Sequence, residues 1–435
     1  MSGVEETGSP AVRTRSDLWQ GVQLAGSTEA VDVINRAFYG RFQFPQPPVA
    51  FDTPVDPSFE AIMLNQSLGN WDHAWVAPDA RIWVAGCGTN QAVFTGLRFP
   101  NATIVASDLS EQSLESARRS AQTLGVRNVE FRNESINCAR YREEFDFIIC
   151  TGVIHHNADP RVPLSRLATA LRPAGFMELM VYNRYHRIST TAFQKAIRLL
   201  CPGGDFENEL RVAKAIAQSL RAHGSMDQLL ERKQRASESE FADALLQPVE
   251  HCYTVESLQE LVTACGLELL LPCINQYDKA AGNFHWNLEF ADAELAALYL
   301  ALPDLERWKI THHLLLEQGP FLWFYVGRHD SGREHRGERA LCREFLERCF
   351  ARSATQKKRY LRDSTGLYQN SPQRVDYPGT HPNEVCRRVI AAIADRPRRP
   401  MAAVLDELDL KCDFMTTNKL RLCLTTSLFP FLIAV

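Results

Sequence analysis

The stretch Arg81–Pro100, RIWVAGCGTNQAVFTGLRFP, places two glycines directly after a short apolar run. The run RIWVAG is typical of a buried parallel strand, and QAVFTGLRFP has the spacing of a helix that ends at the proline. Glycines between a strand and a helix let the backbone turn tightly, and they leave the first N–H groups of the helix open to a ligand. The stretch therefore predicts a strand–loop–helix unit that binds a ligand at Gly86 and Gly88.

An acidic residue accompanies this loop. Asp108 ends the next predicted strand, Thr103–Asp108, twenty residues beyond Gly88. A carboxylate at that position can accept hydrogen bonds from both hydroxyls of a ribose, which predicts an adenosine-containing ligand. NAD and S-adenosylmethionine both satisfy this pattern. The dinucleotide fingerprint requires a third glycine where this chain has Gln91, and this difference favours S-adenosylmethionine, which has no pyrophosphate.

Strands and helices alternate through the middle of the chain. Further strands are predicted at Val129–Phe131, Phe145–Val153 and Phe176–Asn183, and Ser110–Gly125 has the start and stop signals of a helix. Alternation of this kind implies a parallel, doubly wound α/β sheet with right-handed crossovers.

Four motifs, VAGCGTN, ASDLS, FDFIICTGVIHH and LRPAGFMELMVYN, together resemble those of class I S-adenosylmethionine-dependent methyltransferases. The resemblance is well defined over Arg81–Arg187 and extends more loosely to about Arg328. It implies a doubly wound, seven-stranded Rossmann-like methyltransferase sheet whose last strand lies antiparallel between the fifth and the sixth. Leu267–Tyr277 and Phe321–Arg328 are then strands six and seven. It also implies S-adenosyl-L-methionine as the cofactor and in-line transfer of its methyl group.

The same reasoning divides the chain into three parts. Residues 1–78 are predicted to be an N-terminal lead, polar and disordered at its start, and a helical cap or lid. Residues 79–330 are the S-adenosylmethionine-binding domain with helical insertions at about 190–250 and 279–319. Residues 339–435 are a small, mainly helical C-terminal domain. Whether the apolar run at the end of the chain docks on the same chain or on a partner stays open.

The resemblance also implies which residues hold the cofactor. Gly86 and Gly88 lie under the methionine moiety and Asp108 binds the ribose, while the adenine contacts the residues after strands two and three. Where the family often has an adenine-binding aspartate, this chain has Ser135, or Glu134 if the turn differs by one residue. The complete predicted set is Ala85, Gly86, Cys87, Gly88, Asn90, Asp108, Leu109, Ser135, Ile136 and Thr151.

Candidate catalytic residues follow the fourth and fifth strands, at the sheet edge where open α/β sheets bind ligands. The sulfonium is already an activated methyl donor, so a base is needed only when the acceptor must lose a proton. We predict His155, His156 and Tyr182 as catalytic candidates, although histidines in this loop also pack over a cofactor or cap a helix. The candidate substrate-pocket residues are Tyr39, Trp71, Asn183 and Arg184, and His73 and Gly282–Asn287 are further candidates. The aromatic residues among them could instead form a packing seam between the cap and the sheet.

The composition narrows the partners. A net charge of −4 provides no basic field for a nucleic acid or an anionic membrane. The twelve cysteines are scattered and contain no C-x-x-C pair, so we expect free thiols, no metal site and a cytoplasmic location. No apolar run is long enough to span a membrane. A small-molecule acceptor, such as a secondary metabolite, is favoured, and the oligomeric state stays open.

Three other functions remain compatible with the sequence. A non-catalytic S-adenosylmethionine-binding module would share the glycines and Asp108, with the C-terminal domain making protein contacts. A protein or RNA methyltransferase is disfavoured by the acidic balance, and the absence of Asn-Pro-Pro-Tyr after the fourth strand disfavours methylation of DNA adenine or glutamine amides. An NAD-linked oxidoreductase is disfavoured by Gln91.

Overall fold

The computed structural model describes residues 27–203, 205–220, 224–275, 285–315, 319–333, 336–353, 355–376 and 383–435, without the side chains of 372–376. The predicted disordered start of the chain and half of the Gly282–Asn287 cluster, residues 282–284, lie outside these residues. Within the described ranges, no helix combines the length and the apolarity that crossing a membrane requires.

The described residues form three consecutive groups of elements. The N-terminal group is α1 (Thr28–Arg41), β1 (Ala50–Pro54) and α2 (Phe59–Ser67). The central group is β2 (Arg81–Ala85), α3 (Gln91–Arg98), β3 (Thr103–Asp108), α4 (Glu111–Leu124), β4 (Val129–Asn133), β5 (Phe145–Thr151), α5 (Arg161–Ala170), β6 (Leu171–Tyr182), α6 (Ile188–Leu200), α7 (Phe206–Ser219), α8 (Ser225–Gln234), α9 (Glu238–Leu246), α10 (Val255–Ala264), β7 (Leu267–Pro272), α11 (Ala293–Ala301), α12 (Asp304–Leu314) and β8 (Phe321–Arg328). The C-terminal group is α13 (Glu338–Glu347), β9 (Phe350–Arg352), β10 (Gln356–Arg362), β11 (Tyr368–Asp376), α14 (Glu384–Asp395), α15 (Met401–Glu407), α16 (Phe414–Thr425), β12 (Phe429–Pro430) and β13 (Leu432–Ala434).

A seven-stranded sheet organises the centre, in the order β4-β3-β2-β5-β6-β8-β7. All neighbours pair in parallel except β8, which is antiparallel to both β6 and β7. The apolar strands β2 and β5 lie in the middle of this sheet. Their side chains are buried because helices cover both faces of the sheet. The predicted α/β, doubly wound seven-stranded sheet is therefore confirmed, including the antiparallel last strand.

The C-terminal group contains four helices and also strands that the sequence did not predict. β10 pairs antiparallel with β1 of the N-terminal group and with β11, which makes a separate three-stranded sheet. The segment QKKRYLR of β10 has no apolar alternation, so no strand signal is visible in it. Its charges are matched across the ladder instead, since Arg359 binds Asp52 of β1 through two N–H donors at 2.9 and 3.1 Å.

The apolar end of the chain docks on the same chain, at α2. The Gln66 side chain donates to the carbonyls of Leu432, at 3.0 Å, and Thr425, at 3.1 Å. The Ala434 N–H donates back to Gln66 Oε1 at 2.8 Å. A buried amide that is satisfied on both sides fixes the position of the last strand, because leaving either end of Gln66 unpaired would cost free energy.

Candidate active site

Two glycines shape the loop between β2 and α3. Gly86 has φ 72° and Gly88 has φ 54°, a region that residues with a Cβ rarely adopt. A Cβ on Gly86 would lie 2.4 Å from Val153 Cγ2, and one on Gly88 would lie 3.1 Å from Pro45 Cδ. Because both the backbone angle and the space exclude a side chain, the glycines are required for this loop as it packs here.

Asp108 lies at the end of β3, directly beside this loop. Its Oδ2 accepts the Gly88 N–H at 2.8 Å and its Oδ1 accepts the Ser110 N–H at 2.8 Å. Burial raises the pKa of this carboxyl. Within the described residues no lysine or arginine pairs with it, and each oxygen keeps a second lone pair for a further donor. A carboxylate satisfied only by backbone N–H groups fits the hydroxyls of a ribose.

Asn90 and Gln91, which replace the dinucleotide pattern, have distinct contacts. Gln91 Nε2 donates to Thr151 Oγ1 at 2.7 Å, and this bond joins the start of α3 to the end of β5. Asn90 donates to Thr89 Oγ1 at 2.7 Å, while its buried Oδ1 has no partner among the described residues. An unpaired buried acceptor is costly unless a ligand supplies a donor. The glycine loop therefore fits a ligand that carries an N–H donor.

The N-terminal group covers this edge of the sheet. Thr89 Oγ1 donates to the Pro45 carbonyl at 2.7 Å, in the segment that follows α1. Ser110 Oγ donates to the Tyr39 carbonyl at 3.4 Å, near the end of α1. These contacts hold α1 and the following segment over the glycine loop and the start of α4.

The region predicted to contact the adenine contains a carboxylate that the sequence did not reveal. Asp32 of α1 accepts hydrogen bonds from Ser135 Oγ at 2.5 Å and from Asn137 Nδ2 at 2.9 Å. Burial raises the pKa of Asp32. Glu134, the alternative predicted position, instead accepts the hydroxyl of Tyr141. Asp32 and Ser135 are more than a hundred residues apart in the sequence, and no local pattern could have predicted their contact.

The three catalytic candidates come together at the carboxyl edge of β5 and β6. The His155 ring lies 4.2 Å from that of His156 and 4.1 Å from that of Tyr182, measured between centroids. All three side chains are buried, with exposed fractions of 0 %, 4 % and 8 %. Neither ring nitrogen of His155 has a partner within the described residues. Such a fully buried, unsatisfied imidazole fits a polar ligand atom better than a packing role.

The two histidines are neutral at physiological pH. Burial lowers the pKa of His155 well below its usual range and that of His156 to about 4. His156 Nδ1 lies 2.8 Å from the Val249 carbonyl, which assigns the proton to this nitrogen. Its Nε2 is then an acceptor. The pair can therefore hold a donor group of a bound molecule without introducing charge.

A second set of polar side chains, Asp243 and Gln247 from the insertion after β6, contacts Tyr39 beside the histidines. The Tyr39 hydroxyl donates to Asp243 Oδ1 of α9 at 3.2 Å, and Gln247 Nε2 donates to the Tyr39 oxygen at 3.4 Å. Asn35 of α1 donates to the His156 carbonyl at 2.7 Å. Burial raises the pKa of Asp243 to about 7. Sequence reasoning missed Asp243 because it lies in an ordinary amphipathic helix.

A buried ion pair supports this group. Arg187 Nε donates to Glu250 Oε1 at 2.9 Å, and its guanidinium carbon lies 4.2 Å from the centroid of the Tyr182 ring. Because each charge is matched by the other, the pair avoids the cost of an isolated buried charge. The cation over the aromatic face holds the Tyr182 ring in place.

The predicted pocket residues fall into two groups. Tyr39 lies with the histidines, 6.4 Å from the His156 ring centroid. Trp71 does not: its ring packs on Phe345 and Phe350 in the core of the C-terminal group. None of these contacts supports the prediction that Trp71 lines the pocket. Its large apolar ring packs in the core of the C-terminal group instead. His73 contacts Gln66 at 3.2 Å and belongs to the same seam.

Asn183 and Arg184 connect the end of β6 to neighbouring segments. Asn183 donates to the Gly319 carbonyl at 2.8 Å and accepts from His312 Nε2 at 2.9 Å. The exposed Arg184 donates to the Cys252 carbonyl at 3.2 and 3.3 Å. These contacts are those of residues that fix loops. A role in binding substrate stays a prediction for both.

Comparison with known proteins identifies the central part of the chain. The sequence pattern of the family described as a methyltransferase domain matches residues 81–206. Residues 81–206 are a methyltransferase domain. This match covers the glycine loop, Asp108, both histidines and Tyr182. The predictions of a class I methyltransferase and of its fold are thereby confirmed.

Three curated relatives are similar to parts of this chain. An uncharacterised protein of Synechococcus sp. is 32 % identical over 198 residues, which cover 44 % of this chain and 48 % of that protein. The release factor glutamine methyltransferase of Neisseria gonorrhoeae is 33 % identical over 126 residues, 28 % of this chain and 42 % of its own. The ubiquinone biosynthesis O-methyltransferase of Parvibaculum lavamentivorans is 34 % identical over 107 residues, 24 % and 42 % of the two chains. The chain spans about half or less of each.

The fold outside the methyltransferase domain also has a solved counterpart. The structure of PKMT2 from Rickettsia typhi in complex with AdoHcy superposes with a TM-score of 0.52 at 13 % identity. The superposition covers 83 % of this chain and 71 % of that one. At this identity the likeness concerns the fold alone.

Proposed function

We propose that this protein transfers a methyl group from S-adenosylmethionine to a small molecule bound beneath α1. The observation that carries the proposal is the enclosed group of His155, His156 and Tyr182, which adjoins the cofactor edge of a methyltransferase domain. Residues from α1 and from the insertion after β6 close over it. An enclosed site favours a small acceptor over a large one. A cytoplasmic location is part of the same proposal.

The residues around the glycine loop fit the cofactor. Gly86 and Gly88 allow the tight, positive-φ turn of the loop, Asp108 suits the ribose hydroxyls, and the unpaired Asn90 oxygen suits the amino group of the methionine moiety. Asp32 and Ser135 lie on the adenine side. The bound cofactor would supply a methyl group attached to a positively charged sulfur. The sulfur is a good leaving group because it departs as a neutral thioether.

The chain contributes orientation and exclusion of water. His155 and the Nε2 atom of His156 hold the acceptor by hydrogen bonds, and the Tyr182 ring limits its position. Holding two reactants in line converts a bimolecular step into an effectively unimolecular one, which accounts for much of the barrier reduction. The buried site strengthens each of these hydrogen bonds, since little water competes.

The acceptor class is tested by following the methyl group. The full-length protein is incubated with methyl-tritiated S-adenosylmethionine and with small-molecule, protein and RNA fractions of cells of the source organism. We expect label in the small-molecule fraction, and at a concentration of S-adenosylmethionine that does not saturate the wild type we expect much less with the Asp108→Ala variant. Label confined to protein or RNA would overturn the small-molecule acceptor, and it would point to the acceptor classes after which the relatives are named.

A further inference from the structure

The proposed acceptor site contains a carboxyl group that the alignment of a methyl donor does not require. Asp243 is buried in α9, and its hydrogen bond among the described residues is the one it accepts from Tyr39. Its Oδ2 has no hydrogen-bond partner there. A methyltransferase that only aligns two reactants has no use for a buried acid, which costs free energy when it ionises. The group therefore calls for a role in moving a proton.

Tyr39 connects this carboxyl to the cofactor edge. Its backbone carbonyl accepts the hydroxyl of Ser110, two residues beyond Asp108, and its phenol reaches Asp243 in the insertion. Its ring lies against that of His156. One residue thus spans the distance between the cofactor side and the insertion, and its hydroxyl lies at the acceptor cluster.

The charged and titratable groups around Asp243 belong to several segments of the chain. Arg187 and Lys233 carry positive charge, Glu250 carries negative charge, and Tyr39 and Tyr182 are neutral phenols. His156 on the remaining side is neutral. Arg187 is already paired with Glu250, so no cation is dedicated to Asp243. The carboxyl can consequently gain and lose a proton in the neutral range, where burial sets its pKa.

We propose that Asp243, acting through the Tyr39 hydroxyl, takes up the proton of the acceptor, and that the acceptor is the hydroxyl of a planar, uncharged aromatic or conjugated ring. This inference rests on the proposed function. The acceptor oxygen bonds to the methyl carbon while the carbon–sulfur bond breaks, and that electron pair stays on sulfur to give S-adenosylhomocysteine. The acceptor proton passes to the Tyr39 oxygen as the Tyr39 proton passes to Oδ1 of Asp243. Asp243 returns this proton to water after product release.

The lining favours this class of acceptor. Tyr39, Tyr182 and two neutral imidazoles present ring faces and edges, which suit a flat ring by stacking and edge contacts. A thioether or a tertiary amine has no proton to lose, so Asp243 would be idle. An anionic acceptor would meet the buried Asp243 and Glu250 carboxyls. A neutral hydroxyl can donate its proton to the Tyr39 oxygen and accept the N–H of His155, whose ring nitrogens have no other partner among the described residues.

The test uses the full-length protein with four probes and measures release of S-adenosylhomocysteine. The probes are 4-methylphenol, 4-nitrophenol, 4-methylaniline and 4-methylthiophenol. We expect transfer to the phenols, with kcat/KM for 4-methylphenol rising with pH and levelling above about 7, since the ionised Asp243 is the active form. Asp243→Asn and Tyr39→Phe are expected to lower this value by about 100-fold and to flatten the pH profile. The loss should be small for 4-nitrophenol, because the neutral form that binds has a more acidic hydroxyl and gives up its proton with little help from a base.

A control and a second readout separate proton transfer from damage to the fold. Glu238→Gln removes an exposed carboxyl of the same helix, whose partners are Arg41 and Lys214, and should leave the profile unchanged. Stability is compared for Asp243→Asn and wild type by urea unfolding. Burial raises the pKa of Asp243 from 3.8 to about 7 in the folded state. The free energy of unfolding of the wild type therefore falls as the pH rises between these two values. The variant should therefore gain stability relative to wild type between pH 4 and pH 8.

Several outcomes would overturn the proposal. One is transfer confined to the aniline or the thiophenol, and another is an equal loss for both phenols in Asp243→Asn. A third is no transfer to any of the four probes by a protein that binds S-adenosylhomocysteine. Absence of that binding in the wild type would instead contradict the proposed function, so the two failures are distinguishable.

Discussion

Replacing Glu338 by alanine is expected to lower the free energy of unfolding by about 3 kcal/mol. Glu338 begins α13 and is buried, and its Oε2 accepts from Asn287 Nδ2 at 3.0 Å and lies 3.4 Å from Arg307 Nη2. Its Oε1 accepts from Asn418 of α16 at 2.9 Å. The change removes the acceptor of the buried Asn287 and Asn418 amides and of one N–H of the fully buried Arg307 guanidinium. The loss is at the low end for a broken buried pair because Arg307 keeps Asp304 as a partner.

Urea unfolding of the wild type and the variant measures this loss. The control is Glu344→Ala, in the same helix, where the carboxylate pairs with Arg336 near the surface. A surface pair of this kind contributes less than about 1 kcal/mol. Because Glu338 joins α12, α13 and α16, its removal should also loosen the contact between the C-terminal group and α12. Equal effects of the two substitutions would contradict the role given to Glu338.

Replacing Asp108 by alanine is expected to weaken binding of S-adenosylhomocysteine by about 10- to 100-fold. Hydrogen bonds to a charged group are worth about 1.5–3 kcal/mol, and the ribose hydroxyls would lose such a partner. The change also removes the acceptor for the Gly88 N–H, which loosens the loop. Isothermal titration calorimetry of both proteins measures the difference.

The matched control for this prediction is Glu111→Gln. Glu111 lies in the first turn of α4, close to Asp108 in the sequence, but its side chain is half exposed and pairs with Arg118. The substitution should change the affinity for S-adenosylhomocysteine by less than about twofold, since an exposed ion pair contributes little. Unchanged affinity in Asp108→Ala would show that this carboxylate does not hold the ribose.

The fold was predictable from local patterns. Apolar runs such as RIWVA, followed by a glycine loop and a capped helix, specify strand–helix units whatever the rest of the chain does. The C-terminal sheet was not predictable in this way. β10 is charged along its length and is a strand only because β1, about 300 residues earlier, supplies a matching ladder and Asp52.

The site residues also divide into those that local sequence patterns reveal and those that only tertiary packing brings together. Gly86, Gly88 and Asp108 stand at fixed spacings because backbone conformation and strand ends dictate them. Asp32 and Asp243 reach the site from separate helices, and their neighbours are set by tertiary packing alone. The two interpretations of Trp71, pocket residue or packing residue, could not be separated for a related reason. An aromatic residue in a loop has no periodicity that tells whether it faces a ligand or a second core.

The central claim is that the loop after β2 binds S-adenosylmethionine and not a dinucleotide. Calorimetric titration of the full-length wild type with S-adenosylhomocysteine, and separately with NAD, tests it most directly. We predict saturable one-to-one binding of S-adenosylhomocysteine and no heat of binding with NAD. Binding of NAD, or no binding of S-adenosylhomocysteine, would contradict the assignment of Gly86, Gly88 and Asp108 to this cofactor.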